Sequence, residues 1–297
     1  MVMRALVLAV TFLSPLPALA QSGNTSPAQP TQPVGAQKPW WERLTFYGDL
    51  RVRYEGFFQR DEETRQRGRY RLRFGIRTPI VDGVDLNLRL ASGEASDVTS
   101  TNQTLTDFWN RKPINIDQAS LSFNPQGMRA VTLAAGKFTY PVTRTQMVWD
   151  DDVNWEGAYE QLALRRGAAN IRLVAVQSPL NDVGSGPDAF MFGHYAHAGF
   201  RLGSHALQLS IADYAFQNPD QLAIALDQRT AIRTQQTNAL RRDDAGRVIG
   251  YASGFNLVDA IAQGTFDTGR SDYPLLALAN VVVNTRAVDD EDMGVWV

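Results

Sequence analysis

The sequence predicts an all-β fold, an antiparallel up-and-down transmembrane β-barrel, and three observations carry that expectation. Apolar and charged residues alternate with period two along successive segments. The links between those segments are short and long in turn. Although 44% of the residues are hydrophobic, no internal run of about 18 apolar residues is present to cross a membrane as a helix, so any spanning element has to be a strand.

The 297-residue chain opens with Arg4, an apolar run from Ala5 to Leu13, then Pro15, Pro17 and Ala18-Leu19-Ala20. A basic start, an apolar middle and a small-residue exit are the marks of a secretory signal peptide over residues 1–20. Cleavage after Ala20 would remove one cation from a chain whose formal net charge is -2, a balance that argues against nucleic acid as a partner. Cysteine is absent, which excludes a disulfide scaffold and thiolate metal sites and is compatible with an oxidising compartment. Gln21 to Lys38 is rich in Pro, Gln, Ser, Gly and Thr and has no apolar period. Residues 21–41 therefore read as a flexible periplasmic linker. Trp40 and Trp41, directly before the first strand, serve either as packing aromatics or as an interfacial anchor. The barrel is expected over residues 42–297.

The first strand segment places Phe46, Gly48, Leu50, Val52 and Tyr54 on one face and Tyr47, Asp49, Arg51, Arg53 and Glu55 on the other. The second sets Tyr70, Leu72, Phe74, Ile76 and Thr78 against Arg69, Arg71, Arg73 and Arg77. In the third, Val84, Leu86, Leu88 and Leu90 oppose Asp85, Asn87 and Arg89. Such alternation fits a soluble sandwich, with the apolar face as core, as well as a barrel with lipid outside and a wet lumen inside.

Further strands are expected over Asp117 to Phe123, Ala130 to Lys137, Gly157 to Leu164, Ala169 to Gln177, Phe190 to Arg201, His205 to Ala215, Gly254 to Thr265 and Tyr273 to Thr285. The short links carry Asp-Gly, Asn-Pro and Gly turn signals. The long ones are Gln59 to Gly68, Ser92 to Ile116, Phe138 to Glu156, Ser178 to Ala189 and Phe216 to Ser253. Tight turns at one end and long loops at the other are the outer-membrane barrel pattern, and a soluble sandwich has no reason to sort its links this way. Within the last long link, Pro219 to Arg242 reads as a helix, with Asp220 at its cap and Leu222, Ala225, Leu226 and Ile232 at helical spacing. A solvated surface helix, a disordered loop and a lid over the mouth are all compatible with it.

The stretches YGDLRVRYE, RYRLRFGIR, LASGEASDVTSTNQTLTDFW with INIDQASLSF, and GKFTYPVTRTQMVWDDDVNWEGA resemble the putative porin family of bacterial outer-membrane β-barrel proteins. The likeness runs from about Phe46 to Thr285, and GDLRVRYE and VWDDDVNWEG are its most specific parts. It implies a barrel of about sixteen strands around a water-filled diffusion channel, trimeric in related porins, in the bacterial cell outer membrane. This chain departs from that pattern. About eleven strands can be counted, with a twelfth beginning near Met293, and the sequence stops at Gly294-Val295-Trp296-Val297 without a terminal aromatic. A sheet of eleven strands leaves an open edge in lipid, so the reading is of a porin-like barrel truncated at its C-terminus.

The candidate pore lining is Arg51, Arg53, Arg69, Arg71, Arg73, Arg77 and Arg89. Fixed charge biases which ions enter a pore; equally, these arginines could merely solvate the inside and pair with loop carboxylates. The candidate constriction is the third long link, which carries Asp150, Asp151 and Asp152, with Tyr140 and Arg144 upstream. In general porins this loop folds into the lumen, where acidic loop and basic wall would set up a transverse field. The competing reading is an exposed acidic loop that takes a divalent cation through oxygen ligands, although calcium-loop spacing is lacking.

No enzyme is expected. His194 and His197 fall on opposite faces of one strand, so neither they nor His205 make a metal site. Gly184 to Ala189 has a proline and no following helix, which makes it a turn rather than a dinucleotide loop. The expected function is therefore a passive channel for small hydrophilic solutes or ions, anion-preferring, without a cofactor, whose partners are outer-membrane lipid and its own copies. The alternatives are a surface receptor or adhesin acting through its long loops, and a barrel hydrolase.

Overall fold

Period-two alternation becomes a single meander. The computed structural model describes residues 39–106, 108–184, 186–228, 238–270, 272–288, 290 and 292–297. The expected signal peptide, the linker up to Lys38 and Ile232 of the expected helix lie outside the described residues. A short 3-10 turn, Trp40–Arg43, leads into β1 (Thr45–Phe57), followed by β2 (Arg65–Val81), β3 (Val84–Ser92), β4 (Gln103–Thr104), β5 (Ile114–Phe123) and β6 (Val131–Phe138). Then come β7 (Trp155–Arg166), β8 (Ala169–Asn181), β9 (Ala189–Leu202), β10 (His205–Gln217), α1 (Pro219–Gln228), β11 (Leu240–Arg242) and β12 (Val248–Tyr251). The path closes with β13 (Asn256–Phe266), β14 (Leu275–Asn284) and β15 (Met293–Trp296).

All but the β11–β12 hairpin belong to one 13-stranded antiparallel sheet, in which β1, β2, β3, β5 to β10 and β13 to β15 follow in order and β4 adds beside β2. Among the described residues β1 and β15, the two ends of this path, are not hydrogen-bonded to each other. The strand beginning near Met293 is present as β15, paired through Asn280–Trp296 to Val283–Met293.

The two faces of the sheet differ sharply. On the outer face Leu50 is 70% and Val52 62% exposed, and Leu72, Phe74 and Leu121 are exposed as well. Leaving such a side chain in water rather than burying it costs about 1.5–3 kcal/mol each, so this face is built for an apolar surround. The inner face, on which the links 93–113 and 139–154 lie, holds the buried Met191 at 0% and Tyr214 at 1% exposure.

One strand changes phase. In β5, Ile114 and Ile116 are exposed on the outer face, yet so are Leu121 and Phe123, which have the opposite parity. Arg89 pairs with Gln118 and Leu90 with Ile116, so Asp117 is an extra residue without a partner across the strand. This β-bulge lets the apolar residues on both sides of it point outward while Asp117 and Gln118 are both buried inside. Close backbone approach also shapes the sheet at Gly136 and Gly157, which face each other across β6 and β7. Their φ angles are +119° and +138°, and a Cβ would sit 2.2 Å from the Ala119 carbonyl oxygen or 2.0 Å from that of Gln177, so the pair has to be glycine.

The expected helix is shorter than its sequence pattern, because Leu240 to Arg242 is the strand β11. Asp220 is not its cap. It lies in the first turn, and its carboxylate accepts the Tyr251 N–H at 2.9 Å and the Arg241 guanidinium at 2.6 Å. It thereby ties α1 to the β11–β12 hairpin, over a small core of Ala223, Val248 and Tyr251.

Candidate functional site: the interior beneath the third long loop

The loop 139–154 leaves β6 at Phe138 and returns at Trp155, both buried. Apolar residues at Tyr140, Val142, Val148, Trp149 and Val153 give it a face that packs on Val174, Val176, Met191, Tyr195, Ala212 and Tyr214. Trp149 stands edge-on to Trp155 at 5.1 Å and to Tyr214 at 5.4 Å, and Tyr140 edge-on to Trp155 at 4.7 Å, favourable geometries for ring quadrupoles. Burial pushes the Tyr140 phenol well above its ordinary range, and its hydroxyl donates to the Asp150 carbonyl at 3.1 Å. The loop is thus held across the inner face rather than projecting from the rim.

Its contacts reach both ends of the sheet. Thr145 donates to the side-chain oxygen of the fully buried Asn280 on β14, and Met147 lies over Gly294 on β15 so closely that a Cβ there would be 2.7 Å from it. Asp152 stands 3.8 Å from Arg73 and 4.0 Å from Arg71 on β2. Five residues of chain span at most ~18 Å, so the interval from Met147 to Asp152 obliges β2 and β15 to approach one another. The sheet curls around this loop.

The three predicted acids separate in their roles. Asp152 faces the arginines and also accepts the backbone N–H and hydroxyl of Thr101, at 3.1 and 3.2 Å. Asp150 turns back on its own backbone, accepting the Asp152 N–H at 2.8 Å. Asp151 pairs with Arg144 at 2.8 Å, and that guanidinium lies 4.5 Å over the Tyr140 ring. Among the described residues no group of three or more His, Cys, Asp or Glu side chains is placed to hold a metal ion.

The predicted basic lining lies on the inner face, and register explains its pairing. Arg51 is directly opposite Arg71, and Arg53 opposite Arg69, an arrangement that is unfavourable by itself. Carboxylates one step along the strands offset it. Asp49 accepts Arg71 at 2.9 Å and Arg73 at 2.6 Å. Glu55 takes Arg67 at 2.5 Å together with Arg53, and lies 3.7 Å from Arg69. The bulged Asp117 binds Arg89 and accepts the Asn154 amide at 2.7 Å.

Backbone and side chains of the second long loop complete the set, since Asn102 accepts Arg51 at 2.9 Å through its side chain and Arg69 at 3.2 Å through its carbonyl. Arg77 stands apart at the short-turn end, 4.6 Å over the Tyr47 ring and 3.2 Å from the Asn87 side chain. Alternation puts Asp49, Glu55 and Asp85 on the same strand faces as these arginines; among the described residues Asp85 makes no ion pair, while Asp117 and Asp152 do.

The inner face holds a second polar region. On the inner faces of β7 to β10, toward the short turns, Arg165, Asn170, Arg172, His197, Arg201 and Gln208 line a cavity of about 870 Å³. Its signal in the sequence is faint, being single basic residues spaced along strands that otherwise look neutral. His194, by contrast, is on the outer face, with the Asp213 carboxylate at 3.7 Å. The two histidines do fall on opposite faces.

No curated protein matches the chain. The family described as putative porin matches residues 58–242, which is more than half of the chain and takes in the arginine strands β2 and β3, the loop 139–154 and the second polar region. Together with the all-β antiparallel meander, this match means that the chain belongs to the putative porin family.

Proposed function

We propose that the protein is a passive outer-membrane channel through which small hydrophilic solutes and ions diffuse, with a preference for anions. The observation that carries this reading is the path of the loop 139–154, which crosses the inner face from β15 to β2 and sets Asp152 opposite Arg71 and Arg73. A polar inner face under a loop that narrows it, and an apolar outer face, are what a water-filled pore in lipid requires. Anion preference is supported by the charge balance inside, where the arginines of β1 to β3 outnumber Asp49, Glu55, Asp117 and Asp152, and where the wall of β7 to β10 is basic. Oppositely charged surfaces facing each other across a narrow, poorly screened gap sustain a field along which ions sort.

Swelling of proteoliposomes tests the proposal. Vesicles carrying the inserted protein should swell in isotonic small sugars and amino acids, faster for smaller solutes and faster for anionic than for cationic solutes of one size. Inserted protein that leaves vesicles tight to every solute would replace the channel reading by that of a surface receptor.

A further inference from the structure

We infer that the cavity on β7 to β10 is a binding site for a small oxyanion, a carboxylate or phosphate, at the short-turn end of the interior. Arg172 and His197 are directly opposite each other across β8 and β9, and Asn170 is opposite both Arg165 and Gly199. The Arg172 guanidinium is positioned by two neighbours: it lies 5.5 Å over the Tyr195 ring, with a terminal nitrogen 3.4 Å from the Tyr195 hydroxyl and 3.4 Å from that of Thr143. Its Nε is buried without a hydrogen-bond partner, as are those of Arg51, Arg53, Arg69 and Arg144, so a ligand in the cavity would meet the terminal nitrogens. Nδ1 of His197 is taken by the Ser210 hydroxyl at 3.1 Å, which leaves the opposite ring nitrogen for a ligand. Gly199 makes room for the Asn170 amide, which lies 2.7 Å from where a Cβ would be.

The charge around this cavity is of one sign. Among the described residues no carboxylate lines it, and Glu160 and Asp213 are on the outer face of the same strands. Asp267, in the turn beyond β13, accepts the Gly269 N–H at 2.8 Å and so is turned onto its own loop. A planar guanidinium matches the paired oxygens of a carboxylate or phosphate, and Arg165 and Arg201 supply long-range attraction at the rim. The proposal rests on the channel reading for how a solute reaches the site, but binding itself does not depend on conduction.

Isothermal titration of the refolded protein in detergent micelles, with sodium phosphate and separately with sodium succinate, decides the matter, with sodium chloride as the blank. Saturable heat with one or both oxyanions and none with chloride is expected, and the stronger of the two identifies the class. Arg172→Gln should weaken binding about tenfold or more, the loss of one charged hydrogen-bonding group. Arg201→Gln, an exposed change at the rim, should weaken it a few-fold and serves as the variant whose folding is not in question. Arg247→Gln in the distant β11–β12 hairpin should leave it unchanged. No saturable heat from the wild type, or equal affinity in both folded cavity variants, would overturn the site. Binding without conductance in bilayers would remove the channel reading and leave the site standing; conductance without binding would do the reverse.

Discussion

Two walls of one interior carry arginine in opposite ways. On β1 to β3 the cations are dense and mostly paired, with Asp49, Glu55, Asp117 and Asp152 each engaging at least one guanidinium. On β7 to β10 they are sparse, and no carboxylate stands among them in the described residues. The number of charges on a strand is therefore a poor measure of the field it presents. A crowded wall needs counter-charges to exist at all, and its arginines act first as structure, whereas the thinner wall leaves its charge available to a solute.

That contrast predicts that removing a counter-charge will cost stability on the first wall, whereas removing a cation from the second will cost selectivity with little loss of stability. The largest effect is expected from Asp117→Ala, which deprives the largely buried Arg89 of its carboxylate and Asn154 of its acceptor. It should destabilise the folded protein by about 3 kcal/mol, read as a shift in the denaturant midpoint for unfolding from lipid vesicles; a midpoint unchanged from wild type would mean that the wall is not held by pairing. Next comes Leu88→Arg on the outer face of the same wall, where Leu88 is 37% exposed. If that position meets lipid near the midplane, the cost is about 2–4 kcal/mol, and equal stability in vesicles and in detergent-free buffer would point to a soluble sheet instead.

Reversing the charge of Arg71 and Arg73 to glutamate sets acids against Asp49 and Asp152. It should turn ion preference toward cations while insertion survives, which a reversal-potential measurement checks. The smallest stability change, within about 0.5 kcal/mol, is expected from Arg201→Gln, whose side chain is exposed and unpaired in the described residues. That same substitution should still reduce anion preference, and a variant with wild-type reversal potential would erase the difference between the two walls.

How much of this was legible before the structure depended on how local each signal is. Strands β6 to β10 appear within a few residues of their expected limits because alternation and turn residues are written within each segment. The sorting of links into short and long likewise needs no knowledge of pairing. By contrast, the partner of Arg89 is decided by a bulge in a neighbouring strand. The parity change between Ile116 and Leu121 is visible in the sequence, but only pairing with β3 shows that Asp117 is the inserted residue.

Asp152 could be placed on the third long loop, yet its separation from Asp150 and Asp151 depends on the turn the loop makes as Tyr140, Trp149 and Val153 pack inward. Arg172 and His197 lie 25 positions apart and become neighbours through the β8–β9 register. Neither carries a motif of its own. Asp220 illustrates the opposite error, where a helix-capping rule applied to a correct helix missed that the carboxylate is engaged by a hairpin some 20 to 30 residues further on.

The central claim, a charged aqueous pathway beneath the loop 139–154, is tested most directly by planar-bilayer conductance of the refolded protein under a salt gradient. Discrete current steps are expected, with a reversal potential of the sign given by anion preference. A correctly inserted protein that passes no current, or steps whose reversal potential shows cation preference, would contradict it.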